Sequence, residues 1–251
     1  WIIAKKDLSL FFSSPVFYSL TSVFLILNGF IFFNILNYFS LQSFQVQQRP
    51  GSSFGLNLNE MVIEPSFHNM AVILLLIIPL VTMRSFAEEK KSKTFALLLS
   101  SPIHLKEIII GKFLSCMIVI GLMVLLSAYS TGYLIVVGDP EIGPILTGYL
   151  GIFLITGCYV SMGLFASSLT DNQIIAAVIS FGLALFMWII GWGAQAGGSE
   201  LSQLLEYLSL ITHLEHFLKG LINSSDLIYY LSFIIFGLFL THRVLESSRW
   251  R

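Results

Sequence analysis

Residues 85–106 read SFAEEKKSKTFALLLSSPIHLK, with an apolar run on either side. The first half is charged, through Glu88, Glu89, Lys90, Lys91 and Lys93, and the second carries Phe95, Leu97, Leu98 and Leu99. Those apolar side chains are too many for a freely solvated loop and too few to cross a bilayer, whose ~30 Å core takes ~20 apolar helical residues. The segment therefore needs a cover. Either it lies beneath its own spans with its lysines on anionic lipid, at about 1 kcal/mol each, or a partner docks on it. Ser85 with Glu88 fits a capping box, and Glu89 precedes Lys93 by four in the favourable order, so a helix is predicted over about 86–101. Ser101 with Pro102 predicts a second helix start that leads into the next apolar run.

Around this segment the chain of 251 residues is 56% apolar and 11% charged, with mean hydropathy +0.85. Soluble chains run near ~25% charged, so the charges an aqueous surface needs are missing and the solvent is lipid. Six apolar runs of spanning length lie at roughly 16–38, 67–84, 108–137, 145–167, 174–197 and 227–243, which predicts an all-α integral membrane protein with both termini on one side. The first run follows Lys5 and Lys6 as a signal peptide would, but it is too long for an h-region and lacks an A-x-A-like site, so it is expected to be a retained anchor. Placing the N-terminus inside puts all of the 13 basic residues except Arg49 and Lys219 at the cytoplasmic face. Glu60, Glu64, Asp139, Glu141, Glu200, Glu206, Glu215 and Asp226 then face outward. A net charge of -1 offers no field for nucleic acid. Cys116 and Cys158 lie inside apolar runs and read as small apolar residues, not as a disulfide or a metal site.

Between the spans the sequence is punctuated. Residues 1–13 set Trp1, Ala4, Leu8, Phe11 and Phe12 against Lys5, Lys6 and Ser9 at helical spacing, the pattern of an elbow helix in the headgroup plane, or else of an extension of the first span. Ser14 and Pro15 would cap and start the next helix. Pro79, inside the second span, predicts a kink. The loop SLTDNQ at 168–173 has Thr170 three residues before Gln173, again a capping-box pattern. Leu201, Leu204, Leu205, Leu208 and Ile211 predict one or two amphipathic helices at the outer boundary over about 199–222. There His213 and His216 stand one turn apart; with Glu206 or Glu215 they could hold a metal, against the blander reading of a solvated face.

Several chemistries are missing. No G-x-x-x-x-G-K-[ST] loop exists: Gly111 and Lys112 are followed by Phe113, and Lys106 stands where the first glycine belongs. H-E-x-x-H and G-x-S-x-G are also missing. The span interiors hold no deep charge, because Arg84, Lys112 and Arg243 are near enough to the inner interface to snorkel, which disfavours an ion-coupled carrier. Asn28, Asn34, Ser127, Tyr129, Ser130, Thr131, Thr156, Tyr159 and Ser161 supply mild polarity, either structural or a weakly polar lining. Gly157 with Ser161, and Gly163 with Ser167, form small-x-x-x-small pairs that let helices approach. No catalytic, cofactor or metal residue is predicted.

Three stretches carry a resemblance: IPLVTMRSFAEEKKSKTFALLLSSPI (78–103) with the Gly111–Lys112 pair, FASSLTDNQIIAA (165–177), and HFLKG with SSDLIYYLSF (216–233). Over nearly the whole chain they resemble the permeases of the ABC-2 exporter class, most closely the gliding-motility-associated permeases. The resemblance implies six membrane helices after an elbow helix, a coupling helix in the first cytoplasmic loop, and short helices before the last span. It also implies a separate ATPase chain that carries ATP and Mg, a second permease copy or paralogue, an auxiliary membrane or periplasmic protein, and the bacterial cytoplasmic (inner) membrane. By position, Arg84, Phe86, Glu88, Glu89, Lys90, Thr94, Leu97, Leu98 and Pro102 would form or brace the coupling element, and Thr170, Asp171, Asn172 and Gln173 the second contact. Where the family usually has Gly before the Thr this chain has Lys93, and Ala96 replaces an acidic residue.

Two functions of different class follow. One is a permease subunit driven by an ATPase on another chain, serving gliding motility or the export of lipid, polysaccharide or another substrate. The other is a membrane anchor that transmits ATP-driven motion to periplasmic partners and transports nothing.

Overall fold

A computed structural model describes residues 2–47, 57–94, 104–138, 140–195 and 200–248, and every regular element among them is helical. Trp1, Arg49, Phe95, Ala96, Leu97, Leu98, Leu99, the Ser101–Pro102 pair, Asp139, Arg249 and Arg251 lie outside the described residues. Helix is what a lipid solvent enforces, since a helix satisfies its backbone polar groups within one segment. In chain order these are α1 (Ile2–Ser13), α2 (Pro15–Gln47), a π turn at Asn59–Ile63, α3 (Glu64–Thr82), α4 (Arg84–Lys91) and α5 (Leu105–Leu126). Then follow α6 (Ala128–Gly138), α7 (Ile142–Leu169), α8 (Gln173–Gln195), α9 (Glu200–Leu208), α10 (Leu210–Leu218) and α11 (Ser224–Ser248). Among the described residues six stretches are long and apolar enough to cross a membrane: Pro15–Val46, Asn59–Lys91, Leu105–Gly138, Ile142–Leu169, Gln173–Gly191 and Ser224–Ser248. Except at the end of the fifth, whose described helix stops at Gln195, the helices outrun the apolar runs, because polar flanking turns stay helical after the hydropathic signal fades.

The third span is α5 and α6 in series, interrupted at Ser127, whose Oγ donates to the Val124 carbonyl at 2.6 Å. The second span breaks at Met83, one turn after Pro79, with the Met83 N–H still bonded to the Pro79 carbonyl at 3.0 Å. Ser14 separates α1 from α2, and its Oγ accepts from the Val16 N–H at 3.3 Å. Across that break α1 buries Ala4 and turns Phe12 outward, where its ring packs edge-on against Phe17, so Phe12 does not share the buried stripe.

The bundle is organised around α7, 83% of whose apolar window is buried, against 22% for α2, 17% for α8 and 22% for α11. Glycines make this possible. A Cβ on Gly148 would meet the Phe67 ring at 2.8 Å, on Gly151 Leu214 and Phe217 at 2.8 Å, and on Gly157 Ile234 at 2.6 Å. On one face of α7, Gly157 and Ser161 receive α11, where Gly237 lies against the Ser161 hydroxyl; on another, Gly163 and Ser167 receive α3 and α4. The two small-residue pairs thus seat different neighbours.

Candidate functional site

Two polar centres stand at opposite ends of the bundle. The first is built on α4, and the sequence misplaces its cap. Ser85 does not cap the helix: its Oγ lies 3.7 Å from Cys116 Sγ. The orphan N–H groups of Phe86 and Ala87 instead donate to Ser167 Oγ of α7, at 3.0 and 3.1 Å, and Ser167 donates to the Met83 carbonyl at 3.0 Å. A serine some eighty positions away caps α4 in trans, because α3 runs into α4 without the free turn a local cap needs.

α4 ends at Lys91 and the chain turns through Ser92 and Lys93, so the predicted helix over about 86–101 is not continuous; its residues 95–101 lie outside the described residues. Lys93 takes φ of 57°, the left-handed conformation that glycine adopts most readily, at the position where the resembled family carries Gly. The turn is tied by Ser92 Oγ, which donates to the Glu88 carbonyl at 2.9 Å and lies 2.8 Å from Thr94 Oγ1.

The Glu89–Lys93 pair does not form, since Lys93 lies beyond the helix end and Glu89 turns inward. Glu89 Oε1 accepts from Lys112 Nζ at 2.9 Å, and Asp7 Oδ2 of α1 accepts from the same nitrogen at 3.4 Å. Lys112 therefore does not snorkel. It is 2% exposed, lies 5.2 Å from the centre of the Phe86 ring, and joins α1, α4 and α5. Its neighbour Gly111 lets α1 in, with Ile3 Cβ only 3.2 Å from where a Cβ would stand. Arg243, by contrast, reaches outward beside Glu246 at 3.4 Å, and Arg84 is half-buried with no hydrogen-bond partner for its Nε.

The predicted coupling residues thus divide. Phe86 is fully buried, Glu89 is in the Lys112 cluster, and Lys90 donates to the Ser168 carbonyl, so these brace α4 against α5 and α7. Glu88 and Thr94 are exposed, as are Lys91 and Lys93. Leu97, Leu98 and Pro102 lie outside the described residues. At Thr170–Gln173 the capping box is replaced by two shorter links. Thr170 Oγ1 accepts from the Asn172 N–H at 3.1 Å, and Asn172 Oδ1 accepts from Ile174 at 2.9 Å, so Asn172 starts α8 while Asp171 and Asn172 stay exposed. Sequence reasoning missed Asp7, the capping role of Ser167 and the pairing of Lys112; the available signals were the small-residue pair at Gly163 and Ser167 and a Gly–Lys pair inside an apolar run.

The second centre joins α9, α10 and α11. His213 Nδ1 lies 2.6 Å from Asp226 Oδ1 and His216 Nδ1 3.0 Å from Asp226 Oδ2, so the shared carboxylate is Asp226, 1% exposed, and not Glu206 or Glu215. The second nitrogen of His213 faces the Tyr207 carbonyl at 3.0 Å, and its ring stacks on Tyr229 at 4.1 Å. Tyr229 and Tyr230 donate to the Leu208 and Leu210 carbonyls at 2.6 and 2.7 Å, and Ser209 Oγ caps α10. This break turns Leu208 outward and buries Leu210, Leu214 and Phe217, so the predicted leucine stripe is not continuous. The arrangement is a lock between the last span and the consecutive helices α9 and α10.

The mild polar residues are largely consumed locally. Asn34 donates to the Phe30 carbonyl, Ser130 to Ser127 and Ser161 to Cys158, while Thr131 pairs with Tyr149 at 2.9 Å. Thr156 Oγ1 and Tyr159 Oη on α7 are the exceptions, buried with no hydrogen-bond partner.

Residues 1–240 match the family described as ABC-2 family transporter protein. No curated protein matches the chain. The chain belongs to that ABC-2 family.

Proposed function

We propose that this chain, as an ABC-2 family member, is the permease subunit of a transporter driven by a separate ATPase chain that docks at the α4 end of the bundle. The observation that carries the reading is the bracing of α4. Ser167 ties its start to α7, Lys112 ties its middle to α1 and α5, and Thr82 at the foot of α3 sits against Gly163. A push on α4 therefore moves three spans as one body, as a rigid-body switch between inward- and outward-facing states requires. The exposed Lys91, Lys93 and Thr94, with Asp171 and Asn172 of the second loop, are the polar surface offered to the ATPase. ATP and Mg belong to that partner. A second permease copy or paralogue completes the assembly, and the termini are cytoplasmic, on the inner side of a bacterial inner membrane.

Copurification with the product of a neighbouring ATPase gene tests this. A complex is expected, broken by Lys91→Glu with Asp171→Arg. Failure of any ATPase to copurify, or a map of the intact particle with only phospholipid under α4, would overturn it. Service in gliding motility rests on the resemblance of 78–103, 165–177 and 216–233; adjacent ATPase and motility genes are its test. Motion transmission without transport draws on the lock at Asp226, which ties α9 and α10 to the last span. Substrate-stimulated ATPase activity in liposomes argues for transport, and a stable partner on α9–α10 for transmission.

A further inference from the structure

Both ring nitrogens of His213 face groups that accept hydrogen bonds. Nε2 lies 3.0 Å from the Tyr207 carbonyl, which has no hydrogen to give, so Nε2 must bear one. Nδ1 lies 2.6 Å from Asp226 Oδ1, and that contact also needs a hydrogen, because two lone pairs at this distance repel. A neutral imidazole beside an ionised carboxylate supplies only one of the two. The pair therefore holds one proton more than a neutral histidine and a carboxylate hold between them.

Three surroundings place that proton on the ring. Asp226, 1% exposed, receives a histidine nitrogen on each oxygen, as a buried carboxylate with a cation beside it does. The Tyr207 carbonyl belongs to the last turn of α9, where the helix dipole favours a positive partner. The ring stacks on Tyr229 with centroids 4.1 Å apart, and an aromatic face attracts a cation. The other titratable groups around it are spent or turned away. Tyr229 and Tyr230 of α11 donate their hydroxyls to the Leu208 and Leu210 carbonyls, and Cys158 of α7 donates to the Tyr230 carbonyl at 3.7 Å. Glu206 and Tyr207 of α9 and Lys219 at the end of α10 are exposed, Glu215 of α10 is half-buried, and α8 carries no titratable side chain. Glu64 and His68 of α3 make no bond to the cluster. His216 needs one hydrogen on Nδ1 to reach Asp226 Oδ2 at 3.0 Å, which its neutral form supplies.

We propose that His213 and Asp226 form a proton-operated latch at the end of the bundle opposite α4: the bound proton ties the last turn of α9 to α11 through the imidazole, and its loss frees α9. Without it a lone pair faces either the Tyr207 carbonyl or the Asp226 carboxylate. A freed histidine is neutral above its ordinary value of about 6.5, so above that pH the closed latch holds one proton more than the open one. Opening is therefore flat at lower pH and rises with pH above it, by at most about tenfold per unit. The latch is a property of this chain alone, with or without an ATPase docked.

The test uses the unmodified full chain in one fixed detergent. Histidine-selective 15N NMR at about pH 6 is expected to show both ring nitrogens of His213 protonated, the signals being assigned by their loss in His213→Gln. A neutral ring there overturns the site. Amide exchange in α9, corrected for the chemical rate at each pH, is expected to give an opening ratio that climbs at least about fivefold from about pH 7 to about pH 8.5, while α3 and α7 stay level. A flat ratio, a climb on acidification, or an equal climb in α3 and α7 overturns the latch. His213→Gln keeps one donor at every pH and should remove the slope. His216→Gln, whose parent side chain is 43% exposed, should keep it; loss of the slope in that variant instead would move the proton to His216 and overturn the assignment.

Discussion

Replacing Lys112 by Met separates two physical pictures of a lysine near the end of a span. If it snorkelled to water its ion pairs would be surface pairs worth about 0–1 kcal/mol, and removal would be nearly silent. In the structure its side chain is 3% exposed and bridges Asp7 and Glu89, themselves only 13% and 16% exposed. Removing the cation leaves two carboxylates facing each other beside the Phe86 ring. Breaking a buried pair costs about 3–5 kcal/mol, and the residual exposure of the carboxylates places this case near 3 kcal/mol. For a chain of this size that is about 6–12 °C in Tm. Asp7→Asn should cost only about 1 kcal/mol, because Glu89 still holds the shorter bond. Lys112→Met with Asp7→Asn and Glu89→Gln should recover most of the loss, since no charge is then left buried alone. Thermal unfolding of the purified chain in one fixed detergent reads all three. A Lys112→Met variant that melts within about 2 °C of the parent, or a triple variant no better than the single, would refute the buried-bridge reasoning.

Ser167→Ala should cost about 1–2 kcal/mol by orphaning the Phe86 and Ala87 N–H groups, and amide exchange should quicken in α4 before α7; equal protection of α4 would deny the cap in trans. Gly163→Ala places a Cβ 2.1 Å from Thr82 Oγ1, so a loss of about 1–3 kcal/mol is expected, partly restored by Thr82→Gly; no restoration would move the clash elsewhere. Asp226→Asn removes the carboxylate shared by His213 and His216 and should cost about 1.5–3 kcal/mol, with α9–α10 becoming sensitive to protease while α3–α7 stays protected. Uniform loss of protection would show that the lock is not local.

Composition and run length by themselves determined that the solvent is lipid, that the elements are helices and that six of them are long enough to cross. Those conclusions need only that backbone groups find partners within one segment and that ~20 apolar residues match the membrane. The breaks at Ser14–Pro15 and near Pro79 were legible for the same reason: they are local. The site was not. The residues that hold α4 come from α1, α5 and α7, and the Lys112–Asp7 bridge alone joins positions 105 apart in the chain. α2, α5 and α7 are apolar nearly all round, so their pattern does not tell a face against protein from a face against lipid. Local capping rules erred at Ser85 and Thr170, where a neighbouring helix or a shorter link supplied the bond. Tertiary structure alone set Ser167 under α4, Lys112 between two carboxylates and Asp226 between two histidines. In a medium as apolar as the protein's interior, burial does not sort side chains by sequence pattern, and only the packing of helices decides which scarce polar groups meet.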